Sequence, residues 1–172
     1  MKFRFFLLLS ASLLLFACNN SPKVVTYQDA ERQFRSTLTN EDTLEVRILA
    51  QEFMERLAAG NPAGAVDLLY VVTGSVLTKV QEPEASKLAR RYGAPVTEWM
   101  VDKCEFSTQA NNTYVCRYTV GDKELSDSGL KFVFCPIKIG EDWYLTLKEG
   151  PATVHPLAPA PYPVRLAAKE EN

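Results

Sequence analysis

Apolar residues recur along this chain with three different spacings, and each spacing predicts a different kind of element. The first is an unbroken run. Lys2 and Arg4 precede residues 5–16, interrupted only by the small Ser10, Ala11 and Ser12. About 12 residues fall short of the ~20 that a transmembrane helix needs. A basic start followed by a short apolar run has the form of a secretory leader.

The second spacing, three to four residues, governs the next part of the chain. Tyr27, Ala30, Phe34 and Leu38 sketch a short helix inside an otherwise polar stretch. A stronger helix is predicted from Asp42. Asp42-Thr43-Leu44-Glu45 reads as a capping box, with Val46, Leu49, Ala50, Phe53 and Leu57 as its apolar stripe. Gly60 closes it as a left-handed cap, and Asn61-Pro62 restarts a helix at once. That helix is expected to carry Ala65, Val66, Leu68, Leu69 and Val72 to a stop near Gly74. A third, short one is expected over 83–92, ended by Gly93.

After Pro95 the spacing becomes two, and strands are predicted over 96–107, 113–122, 129–139 and 143–148. Gln109-Ala110-Asn111-Asn112 joins the first pair, and Gly140-Glu141-Asp142 the last. Pro136 lies inside the third strand, where a bulge or an unpaired edge is expected. Both parities of that strand are apolar, so it is expected to be central, covered on both faces. One of those faces is alternatively a binding surface. From residue 150 onward Pro151, Pro156, Pro159, Pro161 and Pro163 exclude a helix and favour an extended tail. Helices followed by an antiparallel meander indicate an α+β class: N-terminal helices packed on a curved, mainly antiparallel four-stranded sheet.

Composition narrows the function classes. The 172 residues carry a net charge of −2 with a single His, which excludes a multi-His metal centre and disfavours a basic nucleic-acid binder. Leu15-Phe16-Ala17-Cys18 resembles the lipobox of bacterial lipoproteins, although Phe16 is bulkier than the usual residue there. The resemblance implies removal of residues 1–17 and acylation of Cys18 with palmitate-type chains, giving a lipid-anchored protein of the cell envelope on the periplasmic or outer-membrane side. Stable anchoring needs more than one acyl chain, at about 0.8 kcal/mol per buried CH₂. The alternative is a plain secretory signal with Cys18 in a disulfide. Loss of Lys2 and Arg4 with the leader leaves 17 basic against 21 acidic residues, a charge of −4.

Three further thiols remain, Cys104, Cys116 and Cys135, in a compartment that permits disulfides. A hairpin register pairing Phe106 with Tyr114 and Met100 with Val120 sets Cys104 opposite Cys116. A Cys104–Cys116 bridge is then open, as are a bridge from Cys135 to either and three unbridged thiols. No sequence motif for phosphate binding, an activated Ser nucleophile or a Cys-x-x-Cys site is present. No catalytic, cofactor-binding or metal residue is therefore assigned. His155 stands in the proline tail, a poor support for a general base.

Phe53-Met-Glu-Arg-Leu-Ala-Ala-Gly-Asn leading into Ala63-Gly-Ala-Val-Asp-Leu-Leu, with a later Gly140-Glu-Asp-Trp-Tyr-Leu-Thr-Leu hairpin, is similar to the nuclear transport factor two-like, cystatin-like superfamily. The likeness spans residues 42–149. It implies a curved sheet wrapped around a long helix, leaving a conical apolar pocket that Phe53, Trp99, Asp102 and Tyr118 are candidates to line. The organisation expected is a signal peptide over 1–17, a tether over 18–41 that includes the short helix, the α+β domain over 42–149 and the tail over 150–172. The expected function is non-enzymatic binding of a small apolar ligand or an envelope protein. Alternatives are a pocket enzyme of isomerase or cyclase type, with Asp102 beside Tyr118, or a structural subunit of an envelope complex.

Overall fold

The computed structural model describes residues 26–126, 129–147 and 164–167. The leader, Cys18, the first part of the tether, His155 and the tail prolines lie outside the described residues.

Helix α1, Tyr27–Thr37, is present as the 3–4 spacing predicted, with Thr26 capping it through the Asp29 N–H. Helix α2 covers Asn40–Ala58 and starts earlier than the Asp42 reading predicted. Its N-cap is Thr39, whose hydroxyl accepts from the Asp42 N–H while the Asp42 carboxylate accepts from the Thr39 N–H at 2.6 Å. Asp42 is thus the third residue of a capping box rather than its cap. The Glu45 carboxylate accepts instead from the backbone N–H of Trp143. Gly60 ends the helix at φ +69°, and Asn61 caps α3, Pro62–Val66, with its carboxamide oxygen on the Gly64 N–H.

Here the structure departs from the helical reading. α3 stops at Val66, and the apolar residues after it form strands β1, Tyr70–Thr73, and β2, Val76–Lys79. Two β-branched residues in succession, Val71 and Val72, then Thr73 and Gly74 at φ +62°, favour a hairpin over a further turn of helix. Helix α4, Glu84–Arg91, stands where the third helix was expected.

The long hairpin follows: β3, Val96–Thr108, and β4, Asn111–Val120, turning through Gln109-Ala110 rather than through all four polar residues. β5, Leu130–Phe134, pairs with β4, and the chain breaks at Cys135-Pro136 before β6, Ile137–Ile139, and β7, Asp142–Tyr144. The expected four-stranded sheet is therefore divided. β3-β4-β5 and β6-β7 are antiparallel, and β1-β2 is joined in parallel by β8, Arg165–Leu166. β4, not the Pro136-bearing strand, is the central one of its ladder. Single bridges Phe134–Leu147 and Leu69–Leu145 link the pieces. The architecture is mixed α+β.

α2 lies on the β3-β4-β5 ladder through Phe53, which is fully buried with Phe132 and Phe134 at ring-centre distances of 5.3 and 5.1 Å, both edge to face. A separate small cluster gathers Leu77, Ile137 and Val164.

Candidate functional site

The register of the β3-β4-β5 ladder sorts its side chains into rows. Trp99–Tyr118–Leu130, Val101–Cys116–Phe132 and Cys104–Tyr114–Phe134 are successive cross-strand sets. Phe132 and Phe134 touch Phe53, so by strand alternation these rows share the face that meets α2. The last row is covered at Tyr114 and Phe134, which are buried, and open only at the edge residue Cys104. The first is not covered. Trp99 and Tyr118 are only partly buried and Leu130 is 55% exposed, and beside them Val101, at the edge of the second row, is 38% exposed. Tyr118 stacks on Phe132 at 4.5 Å, and Tyr92 at the end of α4 meets the same ring edge to face at 5.0 Å. The result is an apolar, aromatic shelf at one end of the inner face, continuous through Phe132 with the packed core at Phe53. Of the candidate lining residues, Trp99 and Tyr118 stand on this shelf. Phe53 lies beneath it, its ring wholly engaged in the core.

Asp102 is on the other face, and its expected pairing with Tyr118 is corrected: Tyr118 opposes Trp99. Register shifts between Val96 and Glu98, Val101 and Lys103, and Phe106 and Thr108 each add one residue to β3. The second makes Asp102 the extra residue and turns it outward. There its carboxylate meets Arg117 Nε at 3.0 Å and Lys131 Nζ at 3.1 Å. The hydrogen bond from Lys131, with the charge of Arg117 beside it, lowers its pKa below the ordinary value against the smaller opposing effect of burial. A general base of the isomerase kind needs the opposite shift, in an enclosed apolar setting. The inner rows hold no carboxylate, Lys, Arg or His.

The proposed disulfide is overturned as well. The hairpin turns through two residues, with Thr108 opposite Asn111, where pairing Cys104 with Cys116 needs a loop of three or five. The bulge at Ser107 moves Cys104 one place further. Cys104 opposes Tyr114 and Cys116 opposes Val101, and both thiols are unbridged. Burial pushes the Cys116 thiol up to about 12 and raises that of exposed Cys104, with Glu105 adding to the effect. Neither is an activated nucleophile. Among the described residues no group of three or more His, Cys, Asp or Glu is placed to hold a metal ion.

A buried ion pair lies elsewhere and has a structural task. Asp42 is 5% exposed and accepts from Trp143 Nε1 at 2.8 Å, from Lys138 Nζ and from the Thr39 N–H. Lys138 also lies over the Trp143 ring, 5.9 Å from its centre. Burial would raise the Asp42 pKa, but the hydrogen bonds from Lys138, Thr39 and Trp143 together bring it to about 2. This node ties the start of α2 to the β6–β7 hairpin. Spacing placed Asp42 at a helix start; its partners 96 and 101 residues away carry no local signal.

No family model matches the chain, and no curated protein matches it. Among solved structures, it is similar to an NTF-2 like protein of unknown function from Shewanella oneidensis MR-1. The two share 11% identity at a TM-score of 0.39, over 60% of this chain and 93% of that one.

Proposed function

We propose that this chain is a lipid-anchored envelope protein whose domain, nuclear transport factor two-like by its helix and hairpin pattern, binds a small apolar ligand on the Trp99–Tyr118–Leu130 shelf without transforming it. One observation carries the reading. An aromatic row stays accessible beside a filled core, on strand rows that carry no charged side chain of their own. Such a surface offers stacking and apolar burial, and no group to move a proton. Asp102, the acid–base candidate, points away from it and is held ionised by two cations.

The neutral aromatic probe N-phenyl-1-naphthylamine tests the shelf. The mature chain carrying Cys18→Ser should bind it saturably. Trp99→Ala should weaken binding at least tenfold, the order of losing one well-packed aromatic contact. Asp102→Asn, on the opposite face, should leave the affinity unchanged. Equal affinity for the native and Trp99→Ala chains would remove the shelf from consideration.

The anchor is tested separately. Cys18→Ser should move the protein from the membrane to the soluble fraction and abolish incorporation of labelled palmitate. Continued membrane retention would overturn the lipoprotein assignment.

A further inference from the structure

Residues 164–167 are held like a bound peptide. The Val164 N–H donates to Gln109 Oε1 and its carbonyl accepts from Gln109 Nε2, each at 3.0 Å. One carboxamide thus serves the backbone as a neighbouring strand would. The Arg165 N–H donates to the Ser75 carbonyl at 3.0 Å and the Ala167 N–H to the Leu77 carbonyl at 2.9 Å, in parallel register with β2. Val164, 5% exposed, fills the space between Leu77 and Ile137, while the side chains of Arg165 and Leu166 stay exposed. Gln109 is itself fixed, because its carbonyl accepts from the Lys138 N–H at 3.2 Å.

The groove therefore reads an extended backbone and one β-branched apolar side chain, the recognition mode of strand addition. Nothing in those contacts depends on the strand arriving from the same chain. Sixteen residues, 148–163, separate it from Leu147, five of them Pro.

We propose that β2, Gln109 and the Leu77–Ile137 pair form a strand-acceptor site whose partner is a second copy of this chain, which inserts its own residues 164–167. Insertion within one chain competes at an effective concentration of about 1 mM for a short linker, so at about 100 μM protein roughly a tenth of the grooves should be filled by a neighbour. Identical contacts in both arrangements make this a strand exchange.

Val76 and Arg165 are register partners. An equal mixture of mature Val76→Cys chains and mature Arg165→Cys chains at about 100 μM in total, treated with a short bismaleimide, should yield a heterodimer linked at 76 and 165 in roughly a twentieth of the protein. Neither variant alone should form that link. A Val76→Cys/Arg165→Cys double variant that crosslinks within itself, beside a mixture that gives no heterodimer, would overturn the exchange. Independently, a chain ending at residue 163 and folded by circular dichroism should bind a labelled peptide of residues 161–170. Gln109→Ala should weaken that binding at least tenfold, and a folded acceptor that ignores the peptide would remove the site itself.

Discussion

Replacing Asp42 by Ala is expected to lower the unfolding free energy by about 3 kcal/mol at pH 7, near the lower end for breaking a buried ion pair. The carboxylate serves three partners, and its removal leaves the Lys138 ammonium and the Trp143 indole N–H without it in a site only 5% exposed at Asp42. Helix capping is lost in the same change, because the Thr39 N–H loses its acceptor. The linkage relation supplies an independent check. The Asp42 pKa falls from an ordinary 3.8 to about 2 on folding, which corresponds to roughly 2 kcal/mol. A depressed carboxylate contributes fully above its unfolded pKa and loses that contribution as pH falls through the folded one. Native protein should therefore lose this increment between about pH 4 and pH 2, because in that window the unfolded chain takes up a proton at Asp42 that the folded site resists. Asp42→Asn, which keeps an acceptor for Trp143 but carries no charge, should lose part of the stability at pH 7. Urea unfolding at pH 7 and pH 2.5 separates the cases: the gap between native and Asn variant must shrink in acid. A gap that stays constant would show that charge at Asp42 contributes nothing.

The second large effect is Phe53→Ala, expected to cost about 4 kcal/mol. Phe53 is fully buried, and its ring meets Tyr92, Phe132 and Phe134 edge to face, at 6.5, 5.3 and 5.1 Å. The two strand rings are fixed by the β4–β5 ladder and Tyr92 by α4, so the surroundings cannot collapse into the void. Phe53→Leu, which keeps most of the volume, should cost about 1.5 kcal/mol or less. Denaturant midpoints with unchanged slope would measure both. A loss below about 1.5 kcal/mol for Phe53→Ala would mean that α2 and the sheet can close on each other without the ring. The change should also be felt on the shelf. Phe132 supports Tyr118 by stacking, and losing Phe53 takes away one wall of Phe132. Phe53→Ala should therefore weaken probe binding although Phe53 does not line the surface.

The helices were readable where periodicity, caps and breakers agreed. Val46, Ala50, Phe53 and Leu57 are buried as their spacing demanded, and Gly60 and Asn61-Pro62 do what their backbone preferences dictate. Leu68 to Val72 reads as helix by periodicity although the helix stops at Val66, because a continuous apolar run suits a buried helix and a strand alike. Only the β-branched pair and Gly74 distinguished them. The hairpin register failed for a different reason. Running straight back from Thr108 opposite Asn111, Cys104 would face Val115, but the extra residue at Ser107 moves it to Tyr114. The bulge at Asp102 then reverses which residues share a face. No residue type marks such insertions, so which side chains share the face of Trp99 and Tyr118 follows only from the register.

Those three extra residues bear on how copies of this protein coexist when crowded together. β3 is long and ends its ladder, so an unbroken row of peptide groups there would template a neighbour's strand and begin a fibre. Bulges interrupt the repeat that such a template needs, and Glu98, Asp102, Lys103 and Glu105 place charge along the same strand. The edge of β2 is protected differently, by a strand from the chain's own end. The β3 edge therefore discourages open-ended growth by its bulges and charges, while the β2 edge is already occupied by the chain's own strand.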